Sequence, residues 1–168
     1  IDITLIKPDN NGIIQRADIE KNLHENTRLI SIMWVNNELG TINPIFEISS
    51  IAKEKNILFH SDAVQALGKI EINTEDIPVD YLSMSAHKLY GPKGVGALYK
   101  RGGAKLEPLI HGGGQESNLR ASTENVGGIG GFGMAAEHST TNLEENTEHI
   151  LRLESYFLNL LNEQNISY

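Results

Sequence analysis

The sequence contains no cysteine. That removes disulfides, thiolate metal sites and a cysteine nucleophile from anything this stretch of chain does by itself. Nor is there an uninterrupted apolar run near the roughly 18 residues that a membrane-crossing helix needs, so no membrane partner is expected. The first residues alternate in polarity and lack the basic segment and apolar core of a secretory leader. The expected compartment is therefore the cytoplasm. Positive charge is scarce too: 14 Lys and Arg stand against 22 Asp and Glu, a net charge of −8. Such a chain has no general electrostatic attraction for nucleic acid or an anionic membrane.

What is present is typical of a globular chain. Of 168 residues, 39% are apolar and 21% charged, enough for one domain with a core and unlike a disordered segment. The opening IDITLIK alternates as a half-buried strand does and starts without Met. It reads as a strand entered part-way, and the chain as a piece of a longer one.

Periodicity predicts the elements that follow. After the turn cluster PDNNG, residues 16–26 carry Ile19 and Leu23 at i, i+4 and predict a short helix. The near-continuous apolar run 28–35 predicts a strand buried on both faces, as in a parallel sheet. Asn43 before Pro44 marks a helix start with Asn as cap, the helix running to Asn56. Strands are predicted over 57–64, 80–87 and 95–101. A glycine-containing helix is predicted over 123–137. A longer one should begin after Asn142, with Glu145 as its capping-box partner. Its stripe of Ile150, Leu153, Phe157, Leu158 and Leu161 predicts core packing. The terminal NISY predicts entry into another strand. Strands alternating with helices imply crossover units and a mostly parallel α/β sheet.

In such sheets ligands sit beyond the carboxyl ends of the strands. Three predicted strand ends carry unusual polar groups: Asn36-Asn37-Glu38, His60-Ser61-Asp62-Ala63-Val64-Gln65, and Ser85-Ala86-His87-Lys88. If the strands are parallel neighbours, these groups meet at one site. A lysine desolvated there loses basicity and becomes a neutral amine able to condense with a carbonyl. An aspartate one strand over suits a protonated pyridine nitrogen, and Ser85, His87 and backbone amides suit a phosphate. Taken singly, each residue reads as something plainer. Lys88 is a solvated loop lysine, Asp62 a turn residue, and His60 or His87 a satisfied, partly buried histidine. Only their meeting carries the chemical reading. GPKGVG leads into a strand, whereas phosphate-binding glycine loops open a helix, which speaks against a nucleotide module. His60, His87, His111 and Glu116 follow no metal-ligand spacing.

The run HSDAVQALGKI…VDYLSMSAHKLYGPKGVGALY, with VNNELG before it and HGGGQESNLRASTEN after it, closely resembles the cysteine desulfurases. These are pyridoxal-phosphate enzymes of the aspartate-aminotransferase-like fold (fold type I). The resemblance extends from Ile1 to about Glu137 and points to the branch serving iron–sulfur cluster assembly. It implies that residues 1–140 belong to the large cofactor-binding domain, a mostly parallel sheet flanked by helices. Residues 141–168 would then be the linking helix and the start of the small C-terminal domain.

Carried over by position, the resemblance implies Lys88 as the Schiff-base lysine and catalytic base, and Asp62 as partner of the ring nitrogen. It implies Gln65 as donor to the ring hydroxyl, and Ser85 and His87 as phosphate ligands. Asn37 would lie near the cofactor hydroxyl and the substrate carboxylate. Thr123 would reach the phosphate of a neighbouring subunit, which implies a homodimer. Gly112-Gly113-Gly114 fits close backbone approach there. L-Cysteine is the implied substrate and a scaffold or carrier protein the implied sulfur acceptor. The sulfur-accepting cysteine and the N-terminal phosphate loop of the family have no counterpart in these residues, so this stretch alone is expected to be inactive. The competing readings are another enzyme of this fold (aminotransferase, selenocysteine lyase or kynureninase-like hydrolase) or a scaffold domain without chemistry.

Overall fold

The structure is a computed structural model and describes residues 1–167. In chain order the elements are α1 (Arg16–Lys21), β1 (Leu29–Met33), α2 (Ile45–Glu54), β2 (Leu58–Asp62), β3 (Tyr81–Ser85), β4 (Gly96–Lys100), α3 (Val126–Thr141) and α4 (Leu143–Glu163). A 3-10 turn, Ala86–Leu89, follows β3 directly. The strands form one sheet in the order β1-β2-β3-β4. The first three are parallel and β4 returns antiparallel to β3. The sheet is thus mostly parallel, as the alternation of elements predicted. Among the described residues no helix is long and apolar enough to cross a membrane.

Alternation along the strands divides the sheet into two unlike faces. One face carries Ile30, Phe59 and Leu82, which pack with Ile45, Ile48 and Ala52 of α2, Ile19 of α1, and Trp34 and Val79. Phe59 and Ile48 are fully buried; withdrawing each such side chain from water contributes roughly 1.5–3 kcal/mol. The other face carries Ser31, His60, Asp62, Ser83 and Ser85. It leaves Leu29, Leu58 and Leu98 between 38% and 52% exposed. The expectation that β1 is buried on both faces is therefore corrected. The helices α1 and α2 cover one face, and no described element is layered over the other.

A second, smaller cluster holds the 3-10 turn. Ala86 and Leu89 pack against Phe132 of α3, with Met84, Val95, Ala135 and Ala136 around them. The glycines of α3 make this approach feasible: a Cβ on Gly131 would stand 2.6 Å from Pro92. Gly68 is more demanding. Its φ is +69°, and an added Cβ would meet both Leu89 Cδ2 and Ser139 Cβ at 2.7 Å. Only glycine serves where the 64–70 turn, the 3-10 turn and α3 converge.

Five other expectations are corrected. Residues 1–8 form no strand; they alternate in sequence but have no neighbouring strand to complete a ladder. Asn43 is not a helix cap, since its side chain gives no cap bond to α2. It is buried, accepts from the Ile14 amide at 2.9 Å and donates to the Met33 carbonyl at 2.8 Å. Asn142 does not cap α4 with its side chain either. Its amide donates back to the His138 carbonyl at 2.8 Å, closing the end of α3. The apolar stripe of α4 finds no core here, for none of the helix's residues is buried. Residues 165–167 are not strand, and Tyr168 lies outside the described residues.

Candidate active site

The polar residues singled out at the ends of β2 and β3 lie at one edge of the sheet. Asp62 is the last residue of β2, and its register partner on β3 is Ser83. Side chains paired in register share a face, and so does Ser85 two residues further on. The chain then tightens into the 3-10 turn that carries His87 and Lys88. Tyr90 ends that turn in the left-handed conformation, φ 63°, and is fully exposed.

Each side chain has a defined setting. Asp62 is half-buried, and its Oδ1 accepts the Val64 amide at 2.9 Å, so one carboxylate oxygen is committed and the other is free. Asp62 is thus a turn residue as well as a candidate ligand. Gln65, three residues on, accepts at Oε1 from Lys69 Nζ at 2.6 Å, which leaves its NH2 as the available donor. Ser85 Oγ and His87 Nδ1 lie 2.7 Å apart, pairing the two candidate phosphate ligands. The Lys69 ammonium is held below the usual lysine range by burial and by the charge of Lys88 nearby. Lys88 follows on the 3-10 turn at the end of the neighbouring strand β3.

Lys88 itself is exposed. The desolvation expected to free its amine is not supplied by the described residues. The remaining candidates are not drawn in. Asn37 lies exposed in the turn after β1, where Asn36 Oδ1 accepts the Glu38 and Leu39 amides, each at 2.9 Å. Thr123 is exposed in the segment between β4 and α3, its carbonyl accepting from Ser122 Oγ. The glycine run 112–114 is exposed, Gly112 at φ +155°. Among the described residues no three histidine or acidic side chains gather as a metal site.

Two residues of this edge were not assigned a part from the sequence. Lys69 could have been found by its i, i+4 spacing from Gln65 in QALGK. His60 shares a face with Asp62, and both its ring nitrogens are engaged by serines of the flanking strands. No sequence signal announces those cross-strand partners.

A carboxylate fixed on one oxygen, an amide presenting its donors, a lysine, and a hydroxyl–imidazole pair together suit a phosphorylated pyridine aldehyde. Sheet and site define the class: the chain belongs to the Aminotransferase class-V family, which it matches over residues 1–167, a family of pyridoxal-phosphate enzymes. Within that family several likenesses are specific. The chain is 53% identical over 157 residues to the cysteine desulfurase IscS of Dictyoglomus turgidum, covering 94% of this chain and 40% of that protein. A solved NifS-like protein superposes with a TM-score of 0.90 at 46% identity, covering 95% of this chain and 44% of that one. A structure of SspA in complex with cysteine is 48% identical with a TM-score of 0.79, covering 82% and 40% of the two chains. The chain spans about two fifths of the length of the curated relatives it matches.

Proposed function

We infer that the protein to which this chain belongs is a pyridoxal-phosphate-dependent cysteine desulfurase. It would convert L-cysteine to L-alanine and pass the sulfur as a persulfide to an acceptor protein for iron–sulfur cluster assembly. The observation that supports the reading is that Asp62 and the Lys88-bearing turn end neighbouring parallel strands, β2 and β3, with Gln65 three residues beyond Asp62. These strand ends lie within a chain half identical to a curated desulfurase.

The residues divide the work as follows. Pyridoxal phosphate, bound here, supplies the electron sink that stabilises negative charge at the substrate α-carbon. Asp62 holds the ring nitrogen in its protonated form through the carboxylate oxygen not committed to Val64. Gln65, its carbonyl occupied by Lys69, turns its NH2 toward the ring hydroxyl. Ser85 and His87 bind phosphate oxygens. Lys88 anchors the cofactor and then moves the α-proton. Asn37 serves the substrate carboxylate, and Thr123 serves the phosphate in a second subunit of a homodimer. The persulfide forms on a cysteine outside these 168 residues. Residues 1–140 belong to the large domain and 141–168 to the linking helix and the start of a small one. The packing of α3 on the 3-10 turn, beside an α4 with no buried residue, supports that division. The location we propose is the cytoplasm.

Lys88→Ala in the full-length protein tests the reading. The visible absorbance of lysine-bound cofactor should vanish, and alanine formation from L-cysteine should fall by at least about 10³-fold, as expected for loss of an acid–base and covalent group. Turnover retained in that variant would remove the assignment.

A further inference from the structure

The face of the sheet that carries Asp62 also carries a three-strand polar crossbar centred on His60. Ser31 of β1 is the register partner of His60, and Ser83 of β3 is the register partner of Asp62. His60 Nδ1 lies 2.8 Å from Ser31 Oγ, and His60 Nε2 lies 3.2 Å from Ser83 Oγ. The imidazole thus joins β1 to β3 across β2, and its second bond ends on the residue paired with Asp62. We propose that His60 is a positioning residue for Asp62. In this role it keeps the carboxylate-bearing strand end locked between its neighbours and keeps the floor beside the carboxylate uncharged.

The proposal rests on the reading that Asp62 faces a cofactor ring nitrogen, and it deepens that reading. Each serine hydroxyl both donates and accepts, so a neutral imidazole is satisfied at both nitrogens in either tautomer. Burial favours the neutral form and holds the group below the ordinary histidine range, while the Asp62 carboxylate pulls the other way. The remaining groups on this face are accounted for. On β1 Leu29, Ser31 and Met33 carry no charge. On β3 the Tyr81 phenol donates to the Lys105 carbonyl. On β4 the Lys100 ammonium donates to the Ala104 carbonyl at 2.9 Å. Asp62 is the charge nearest in strand position, two residues along the same face. A proton on His60 would place a cation beside that carboxylate, in competition with a protonated ring nitrogen. With His60 neutral, the full charge of Asp62 is available to the ring.

The consequence is an acid-side loss of cofactor affinity that belongs to His60. The test is the dissociation constant for pyridoxal phosphate, measured by absorbance and fluorescence quenching on the full-length protein between pH about 5 and 8. The variants are His60→Ala, His60→Gln, Ser31→Ala and Ser83→Ala. At the alkaline end His60→Ala should bind about 10-fold more weakly, the scale seen when a group orienting a ligand residue is removed. His60→Gln should restore most of that affinity, since its amide can still donate and accept.

On acidification the wild type should lose affinity more steeply than His60→Gln, and the visible band of bound cofactor should shift with the same profile. Should His60→Ala fail to fold, His60→Gln and the serine variants carry the comparison. Parallel pH profiles in wild type and His60→Gln would overturn the proposal, as would unchanged affinity in His60→Ala. A wild-type protein that takes up no cofactor would sink the functional reading and this inference together. Uptake with parallel profiles would sink this inference alone.

Discussion

Adjacent residues of β2 face opposite ways and meet opposite fates. Asp62 looks toward the open face with one oxygen committed and one free. Ser61 looks into the core, fully buried, and its hydroxyl is the one buried side-chain polar atom without a partner among the described residues. An unpaired buried hydroxyl costs free energy that a methyl group of similar size does not. Ser61→Ala is therefore expected to raise stability by about 1 kcal/mol, read from the denaturant midpoint of the full-length protein. A loss instead would mean that a water or another chain segment satisfies Ser61. At this scale the sequence was informative where a polar residue interrupts an apolar strand. Asp62 and Lys88 stand out only together, since each alone reads as a turn or loop residue. It read His60 as a satisfied histidine but was silent on its partners, which lie 29 and 23 positions away. It was silent too on the commitment of Asn43 and Asn142 to carbonyls outside the helices they precede.

The elements divide between those that make the site and those that hold it in place. The strands bring Asp62 and Ser83 level, but the 3-10 turn bearing Lys88 owes its position to α3. Phe132 is 8% exposed and packs on Ala86 and Leu89. Phe132→Ala should cost about 3–5 kcal/mol, measured by equilibrium unfolding, and should weaken cofactor uptake although the residue lies outside the site. Unchanged uptake in a folded variant would mean that α3 is not what places Lys88. Helices and inner strands were legible from periodicity to within a few residues, because period and burial go together once a covering layer exists. The alternating segment 1–8 was misread for want of that layer. Alternation describes how a strand would present its side chains, whereas a strand forms only with a neighbour to complete its backbone hydrogen bonds.

For the molecule as a whole, the contrast is between a finished face and an unfinished one. The finished face is the core described above. The unfinished one carries Leu29, Leu58 and Leu98 with the polar residues of the site, and α4 adds its own uncovered stripe. The apolar run of β1 indicated a doubly covered strand, whereas only one of its faces is covered here. Lys88 is exposed as well.

One global property can be worked out from the groups present. Burial holds the His60 imidazole below its ordinary value of 6.5. As pH falls through 6.5 the unfolded chain takes up the proton first, so stability declines from there until pH passes the folded value. Above 6.5 the contribution is flat. Asp9, held below its ordinary 3.8 by the Ile13 amide and Gln15, acts in the same direction in a more acidic window. The unfolding midpoint of the cofactor-free full-length protein should thus drop between pH about 7 and 5. His60→Gln should flatten that decline, and an unaltered decline in the variant would assign it to other groups.

Gly68 ties together stretches of chain that are far apart in order. With Leu89 and Ser139 both within 2.7 Å of where its side chain would begin, the three positions share one small volume. Among sequences that keep this fold they should covary. A larger residue at 139 should be accompanied by a smaller one at 89, with glycine retained at 68, so the bond would be visible in an alignment of such sequences before any mutant is made.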